Sequence, residues 1–330
     1  INKSSYDFLK KSQLFGGEII ISNVGANVGT VFKTPNLNMK MALAPNSVML
    51  RTKYCDDFYF HWLKSRYGQH MISAIISGSA QPKFNKTEFR KMLVPVPPIE
   101  EQREIANILN SYDKKIQLNK QINHHLAEQI SLIYNLAITT QKVTTKTIDE
   151  VTVKNEDIIA VSKINSNNYV STTNMISDKS GINNNITLPS TQYVKAFHPK
   201  DILISNIRPY FKKIWYSNKS GGHSADVLNF RANTAIISPE ILWAYLYQDS
   251  FFDAVTKSAK GTKMPRGDKN AIMKFKISIP ANSKELTTTI RPILSLIAEN
   301  NRQNYNLENL KSSLLPKLLS GELSVNQAAK

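Results

Sequence analysis

The sequence predicts an α+β chain of two tandem domains, each followed by a long helix, with the two helices packed on one another. Three observations predict it: an internal repeat of long period, short strand signals ahead of helical periodicity in each copy, and heptad seams in two long polar segments.

The repeat sets the frame. "EIIISN" at 18–23 aligns with "DILISN" at 201–206 at an offset of 183 residues. Without a gap, the same register pairs Trp62-Leu63 with Tyr245-Leu246, Gly78 with Gly261, Pro82 with Pro265, Lys86 with Lys269 and Pro97 with Pro280. Two extra residues then shift the offset to 185, which pairs Ile108-Leu109 with Ile293-Leu294 and Asn119 with Asn304. Solenoid repeats run about 20 to 50 residues, so this period means duplicated domains. Strand signals fall at 18–22, 48–50 and 92–96, and in the second copy at 201–205, 235–237 and 274–279. Helical spacing appears at 58–76 and 240–257. The Asn/Ser-rich stretch 162–190 reads as loop with short strands, either a binding loop or a solvated connection.

At "PVPPIEEQREIANIL" (95–109) Pro97 and Pro98 end a strand ladder, Pro98 supplies a helix-compatible φ, and Glu100, Glu101 and Glu104 face the positive helix end. The helix from 100 to about 133 carries a seam of Ile105, Leu109, Tyr112, Ile116, Asn119, Asn123, Leu126, Ile130 and Ile133. The second, 283–319, should be capped by Ser283 with Glu285 in its first turn, and places Ile290, Ile293, Leu294, Ile297, Asn304, Leu307, Leu310, Leu314 and Leu318 on its seam. Rods of roughly 50 Å need a partner along their length, and the other copy is available. Asn119 and Asn304 would then fix the register. The alternative is that each helix packs on its own domain. The expected divisions are 1–97, 98–140, 141–281 and 282–330.

The chain has 330 residues, 41% hydrophobic, with 42 Lys plus Arg against 25 Asp plus Glu, a formal charge of +17. That field favours a polyanion, with nucleic acid ahead of an anionic membrane. No apolar run approaches the roughly 18 residues of a membrane span, and the single Cys55 excludes an internal disulfide and a cysteine-built zinc site. A reducing cytoplasm fits.

Charge gathers at 195–219 and 257–274 in the second copy. From these come the candidate DNA contacts Asn206, Arg208, Tyr210, Lys212, Lys213, Lys260, Lys263, Arg266 and Lys269, with Asn23, Gln81, Lys83, Asn85 and Lys86 as first-copy counterparts. Lysines suit phosphates, whereas the planar forks of Arg208 and Arg266 suit guanine edges. Any one lysine taken alone is more simply a solvated charge.

Catalytic motifs are missing. "NIRPY" (206–210) lacks the proline pair of an adenine N6-methyltransferase loop, no G-x-x-x-x-G-K-[ST] phosphate loop exists, and the adjacent His124 and His125 point apart on a helix. A reader without chemistry of its own is expected, set against a stand-alone methyltransferase or restriction enzyme and a basic coiled-coil adaptor.

"PVPPIEEQREIANILNSYDKKIQLNKQINHHLAEQI" (95–130), "GEIIISNVGANVG", "KDILISNIRPY" and the terminal "LENLKSSLLPKLLSGEL" (307–323) closely resemble the specificity subunit of bacterial type I restriction-modification systems. The resemblance implies two target-recognition domains, each reading half of a bipartite DNA site, and helices paired as an antiparallel coiled coil. It implies docking of two modification subunits and of restriction (motor-nuclease) subunits, with S-adenosylmethionine, ATP and Mg2+ on those partners and no cofactor or metal on this chain. One departure stands out: the first domain begins shortly before its "EIIIS" strand, whereas some 55 residues precede Asp201. With Ile1 in first place, an incomplete first reader or a fragment is expected.

Overall fold

The computed structural model describes residues 2–183, 186–320 and 322–323. Positions 184–185 of the polar stretch and 324–330 of the expected tail lie outside them. Two compact units form: residues 1–116 with the chain from 306 onward, and residues 117–305.

The first unit opens with α1 (Lys3–Phe8), β1 (Gln13–Leu14), β2 (Ile19–Ser22), β3 (Val31–Lys33), β4 (Met41–Ala42) and β5 (Ser47–Leu50). Then come α2 (Asp56–Lys64), α3 (Arg66–Ala74), α4 (Lys86–Arg90) and the start of α5 (Ile99–Thr140). Strand β2 is central, antiparallel to β3 and β5, because Ile19, Ile20 and Ile21 are buried on both faces. Ile19, Ile21 and Val31 pack on Phe60, Trp62, Leu63, Ile72 and Phe84.

The second unit holds β6 (Val143–Thr147), α6 (Ile148–Val151), β7 (Thr152–Val153), β8 (Ile158–Ala160), β9 (Tyr169–Val170) and β10 (Tyr193–Phe197). It continues with β11 (Ile202–Ser205), β12 (Ile214–Tyr216), β13 (Gly221–His223) and β14 (Val227–Ala232). It ends with α7 (Pro239–Leu246), α8 (Asp249–Ser258), α9 (Lys269–Met273), β15 (Lys276–Pro280) and most of α10 (Ser283–Leu319). Its sheet β12-β11-β14-β7 repeats β3-β2-β5: Ile19 opposes Leu50 as Ile202 opposes Phe230, and Ser22 opposes Ser47 as Ser205 opposes Val227. A second sheet, β8-β10-β13-β9, covers one face, and Phe197 and Val170 bury Leu203 and Trp215 there. Phe32 occupies the register of Trp215 and is 44% exposed against 8%, since the described residues of the first unit contain no such second sheet.

A carboxylate before the central strand is also duplicated. Asp201, almost fully buried, is gripped by two Arg231 nitrogens at 2.9 Å each and by Asn229 at 3.0 Å. Glu18 accepts from the Phe15 and Gly16 amides and from Thr34, with Arg51 at 3.8 Å. Burial works to raise its pKa, yet those hydrogen bonds prevail and pull it down to about 2.

The long helices run antiparallel and pair in both units. In the first, Ile105, Ala106 and Leu109 of α5 meet Leu315 and Leu318 of α10 over Phe58 and Tyr59. In the second, Asn119 Nδ2 donates to Asn304 Oδ1 at 2.9 Å, Asn300 to Asn123 at 2.8 Å and Asn123 to Asn301 at 2.9 Å. There Ala127, Ile130, Tyr134 and Ala137 share a core with Ile290, Leu294 and the α7–α8 helices. Pairing and packing on the neighbouring domain are therefore combined rather than alternatives. Ile116 is buried with the seam, while Tyr112, Leu126, Ile297, Leu307 and Leu314 are half-buried. Beyond Asn123 the buried set steps from Leu126 and Ile133 to Ala127 and Tyr134, because a helix of 3.6 residues per turn drifts from a strict heptad.

Several expectations are corrected. Residues 92–96 form no strand: Pro95 lacks an amide donor, its carbonyl accepts from the Tyr59 hydroxyl, and no described strand pairs with the stretch, whereas β15 pairs with β6. The stretch 235–237 is a turn held by Asn233, whose carbonyl accepts from Ile236 and Ile237, and β14 carries the ladder instead. The helix expected at 58–76 breaks at extended Ser65, whose hydroxyl caps the Gly68 amide, and that at 240–257 breaks at extended Gln248. Ser283 starts α10 but is no cap, as its hydroxyl donates to the Pro280 carbonyl. Leu310 leaves the seam and is exposed, and its neighbour Lys311 pairs with Asp113.

Replacing Asn119 by Leu strands the buried Asn304 amide and should cost about 1–3 kcal/mol in urea denaturation, while Asn119→Leu with Asn304→Leu should cost less than either alone.

His61, buried in the first unit, hydrogen-bonds Asn110 at 2.8 Å, and Asn110 also donates to Asp57, which Lys33 meets at 2.6 Å. Burial drives the His61 pKa from 6.5 to about 4, helped by the Lys311 cation and opposed by Asn110 and Asp113. The neutral form is the folded form, so its contribution is complete above the ordinary value and lost as pH falls from 6.5 towards 4. Thermal melts across that window should show a loss on the order of 3 kcal/mol that His61→Gln flattens.

Candidate nucleic-acid interface

In each unit the loop leaving the central strand is zipped to the loop that follows the second short helix. The Gly25 amide donates to the Pro82 carbonyl at 2.9 Å, as Arg208 does to Pro265 at 2.7 Å. Phe84 donates to Asn23 at 3.1 Å, as Gly267 does to Asn206 at 3.3 Å. Ser77 and Lys83 exchange two backbone bonds, as do Lys260 and Arg266. All of these follow the offset of 183, so the duplication extends to individual hydrogen bonds. The zipper projects basic and aromatic side chains from 206–213 and 260–269 together, and Gln81, Lys83 and Lys86 from the equivalent first-unit loop.

The same register exposes a difference. Gly25 and Gly29 have φ of 99° and 88°; their counterparts Arg208 and Lys212 hold φ of 49° and 50°. Glycine enters this region freely, whereas a side chain costs roughly 1–2 kcal/mol. At Gly29 a Cβ would also lie 3.1 Å from Ile72 Cγ2.

The asparagines hold the zipper rather than project from it. Asn206 is 3% exposed with Oδ1 enclosed and unpartnered, and Asn23 Oδ1 is enclosed likewise. The expected DNA contact by Asn206 is corrected to loop positioning, since its side chain is buried against Gly267. Asn85 is occupied as the cap of α4, accepting from the Glu88 amide at 2.7 Å. Gln81 is exposed.

Much of the positive charge has internal partners. Lys212 meets Asp249 at 2.7 Å, its pKa raised by that hydrogen bond, and Lys179 shares the same carboxylate at 3.0 Å. Lys260 meets Asp268 at 2.7 Å and Arg266 meets Asp226 at 3.1 Å. Lys213 is partly desolvated, its pKa lowered by burial, and donates to the Thr172 carbonyl at 2.8 Å. Lys83, Lys86, Arg208, Lys263 and Lys269 have no carboxylate partner among the described residues. Tyr210 is 48% exposed and packs against Phe211 at 4.7 Å between ring centroids. Asp268 is the one acid within the basic cluster 257–274, whereas the counter-charges Asp226 and Asp249 escaped sequence reasoning.

The fold and these loops define a class: a duplicated, basic, two-domain chain on a paired-helix scaffold, with one polar loop pair per domain. Residues 1–128 match the family model described as type I restriction modification DNA specificity domain. The chain is 34% identical over 109 residues to the type I restriction enzyme MjaVIII specificity subunit of Methanocaldococcus jannaschii, covering 32% of this chain and only 24% of that relative. The MjaIX specificity subunit of the same organism is 21% identical over 310 residues, 82% of this chain and 70% of the relative. A crystal structure of the type I restriction-modification system S subunit from M. genitalium aligns over 94% of this chain and 84% of its own, at 15% identity and a TM-score of 0.48. Residues 1–128 thus carry the type I restriction modification DNA specificity domain, and the chain spans only about a quarter of the length of the MjaVIII relative it matches.

Gly29→Ala should lower stability by about 1–2 kcal/mol through the left-handed backbone, whereas Lys212→Gly should stay within about 1 kcal/mol as strain relief offsets the lost ion pair. Chemical denaturation of the two variants checks both.

Proposed function

We propose that this chain is the DNA-reading subunit of a type I restriction-modification complex. It reads one half of a bipartite double-stranded site with each loop pair, and carries no catalysis itself. The observation that supports it best is the duplicated zipper, which projects polar and basic side chains twice from matching backbone. In this reading modification subunits, two per chain, and restriction subunits dock on the scaffold. They supply S-adenosylmethionine, ATP and Mg2+ chemistry. The work is done in the cytoplasm; no helix among the described residues is long and apolar enough to cross a membrane.

Cations without internal partners are the ones available to phosphates. Lys263→Ala and Lys269→Ala should each weaken binding on every sequence and reduce the log–log salt slope by about 1. The assay is binding of the full chain, assembled with its modification subunit, to a site library over a salt series. Sequence-blind binding by the unaltered chain would sink the reading, as would methylation by the purified chain alone.

A further inference from the structure

The two arginines suited to base reading are not alike. Arg266 sits in a two-way backbone ladder with Lys260, its Nε lies 3.1 Å from the Asp226 carboxylate, and its repeat counterpart Lys83 is also a cation. Arg208 has no carboxylate, and its guanidinium makes a single long bond of 3.4 Å to the Lys263 carbonyl. Its counterpart is Gly25, which has no side chain.

The backbone at Arg208 gains nothing from being arginine. The φ of 49° and ψ of 62° are imposed by the amide bond to Pro265, and glycine makes the same bond at position 25 with φ of 99°. Arginine also lacks the short polar side chain with which asparagine or aspartate offsets a left-handed backbone. A strained residue whose side chain has donors to spare, next to the exposed Tyr210, is placed for a contact outside the chain.

We infer that Arg208 is the residue by which the second domain selects a guanine in its half-site, and that the first domain, with Gly25 at this place, makes no such selection from this loop. The inference rests on the DNA-reading function proposed above. A planar guanidinium donates two parallel bonds to guanine O6 and N7 in the major groove, a match lysine cannot make. Arg266, neutralised by Asp226, serves to hold the second loop in place.

The test uses the full chain, R208G and R208K, each assembled with the modification subunit, on duplexes randomised in both half-sites. R208G should lose about ten- to a hundredfold of the preference for one guanine in one half-site, leave the other half-site unchanged, and melt at or above the parent. R208K should lose the same preference while keeping the salt dependence. Equal loss of affinity on all sequences would make Arg208 a phosphate contact and overturn the inference, as would an unaltered motif. A parent chain without any sequence preference would instead overturn the DNA-reading function, and this inference with it.

Discussion

The antiparallel pairing of α5 and α10 is the constraint on which the architecture depends. It makes the end of the chain part of the first unit: Leu315 and Leu318 complete the core around Phe58, Tyr59, Ile105 and Leu109. The first unit is therefore assembled from both ends of the sequence. Contacts between residues some 200 positions apart must form before that core is complete, which carries a loop-closure cost and makes the helix register a matter of folding as well as shape. The asparagines 119, 123, 300 and 304 answer this in the second unit, because an apolar seam tolerates a slip and an amide pair does not.

The repeat made much of this legible. One gapless register located both central strands and both loop pairs, and a two-residue shift then matched the asparagines on the long helices, because a duplicated backbone needs apolar and turn residues at the same positions. What was not legible has a local cause in each case. Ser65 and extended Gln248 divide segments whose apolar spacing continues across the break, so periodicity alone joins them. Residues 92–96 have strand composition, and a strand exists only where a partner supplies the ladder, as β6 does for β15. The carboxylates facing Lys212 and Arg266 lie 37 and 40 positions away, beyond any local pattern.

Net charge overstates what a basic face can offer. Within the second unit's loops Lys212, Lys260 and Arg266 are matched by Asp249, Asp268 and Asp226, and Lys213 is turned towards a carbonyl. Exposed pairs of this kind contribute little to stability, and their effect here is geometric: they hold long side chains in fixed positions beside the zipper. The cations left without carboxylates are fewer and more widely spaced. A surface so arranged favours a polyanion over its whole extent but concentrates directional donors at a few points.

Duplication also lets one backbone carry different exposed side chains at matching places. Backbone bonds from Gly25 and Arg208 to their prolines fix the loop whatever the side chain, so the residue at that place is free to change at a cost no larger than the left-handed penalty. Glycine gives the relaxed loop with no side chain; arginine gives the proposed reader on a strained loop. The buried Asp201 gripped by Arg231, and Glu18 with Arg51 at 3.8 Å, sit at the start of the central strands behind both versions. A scaffold whose hydrogen bonds are set by backbone alone can diversify its exposed positions without altering its core.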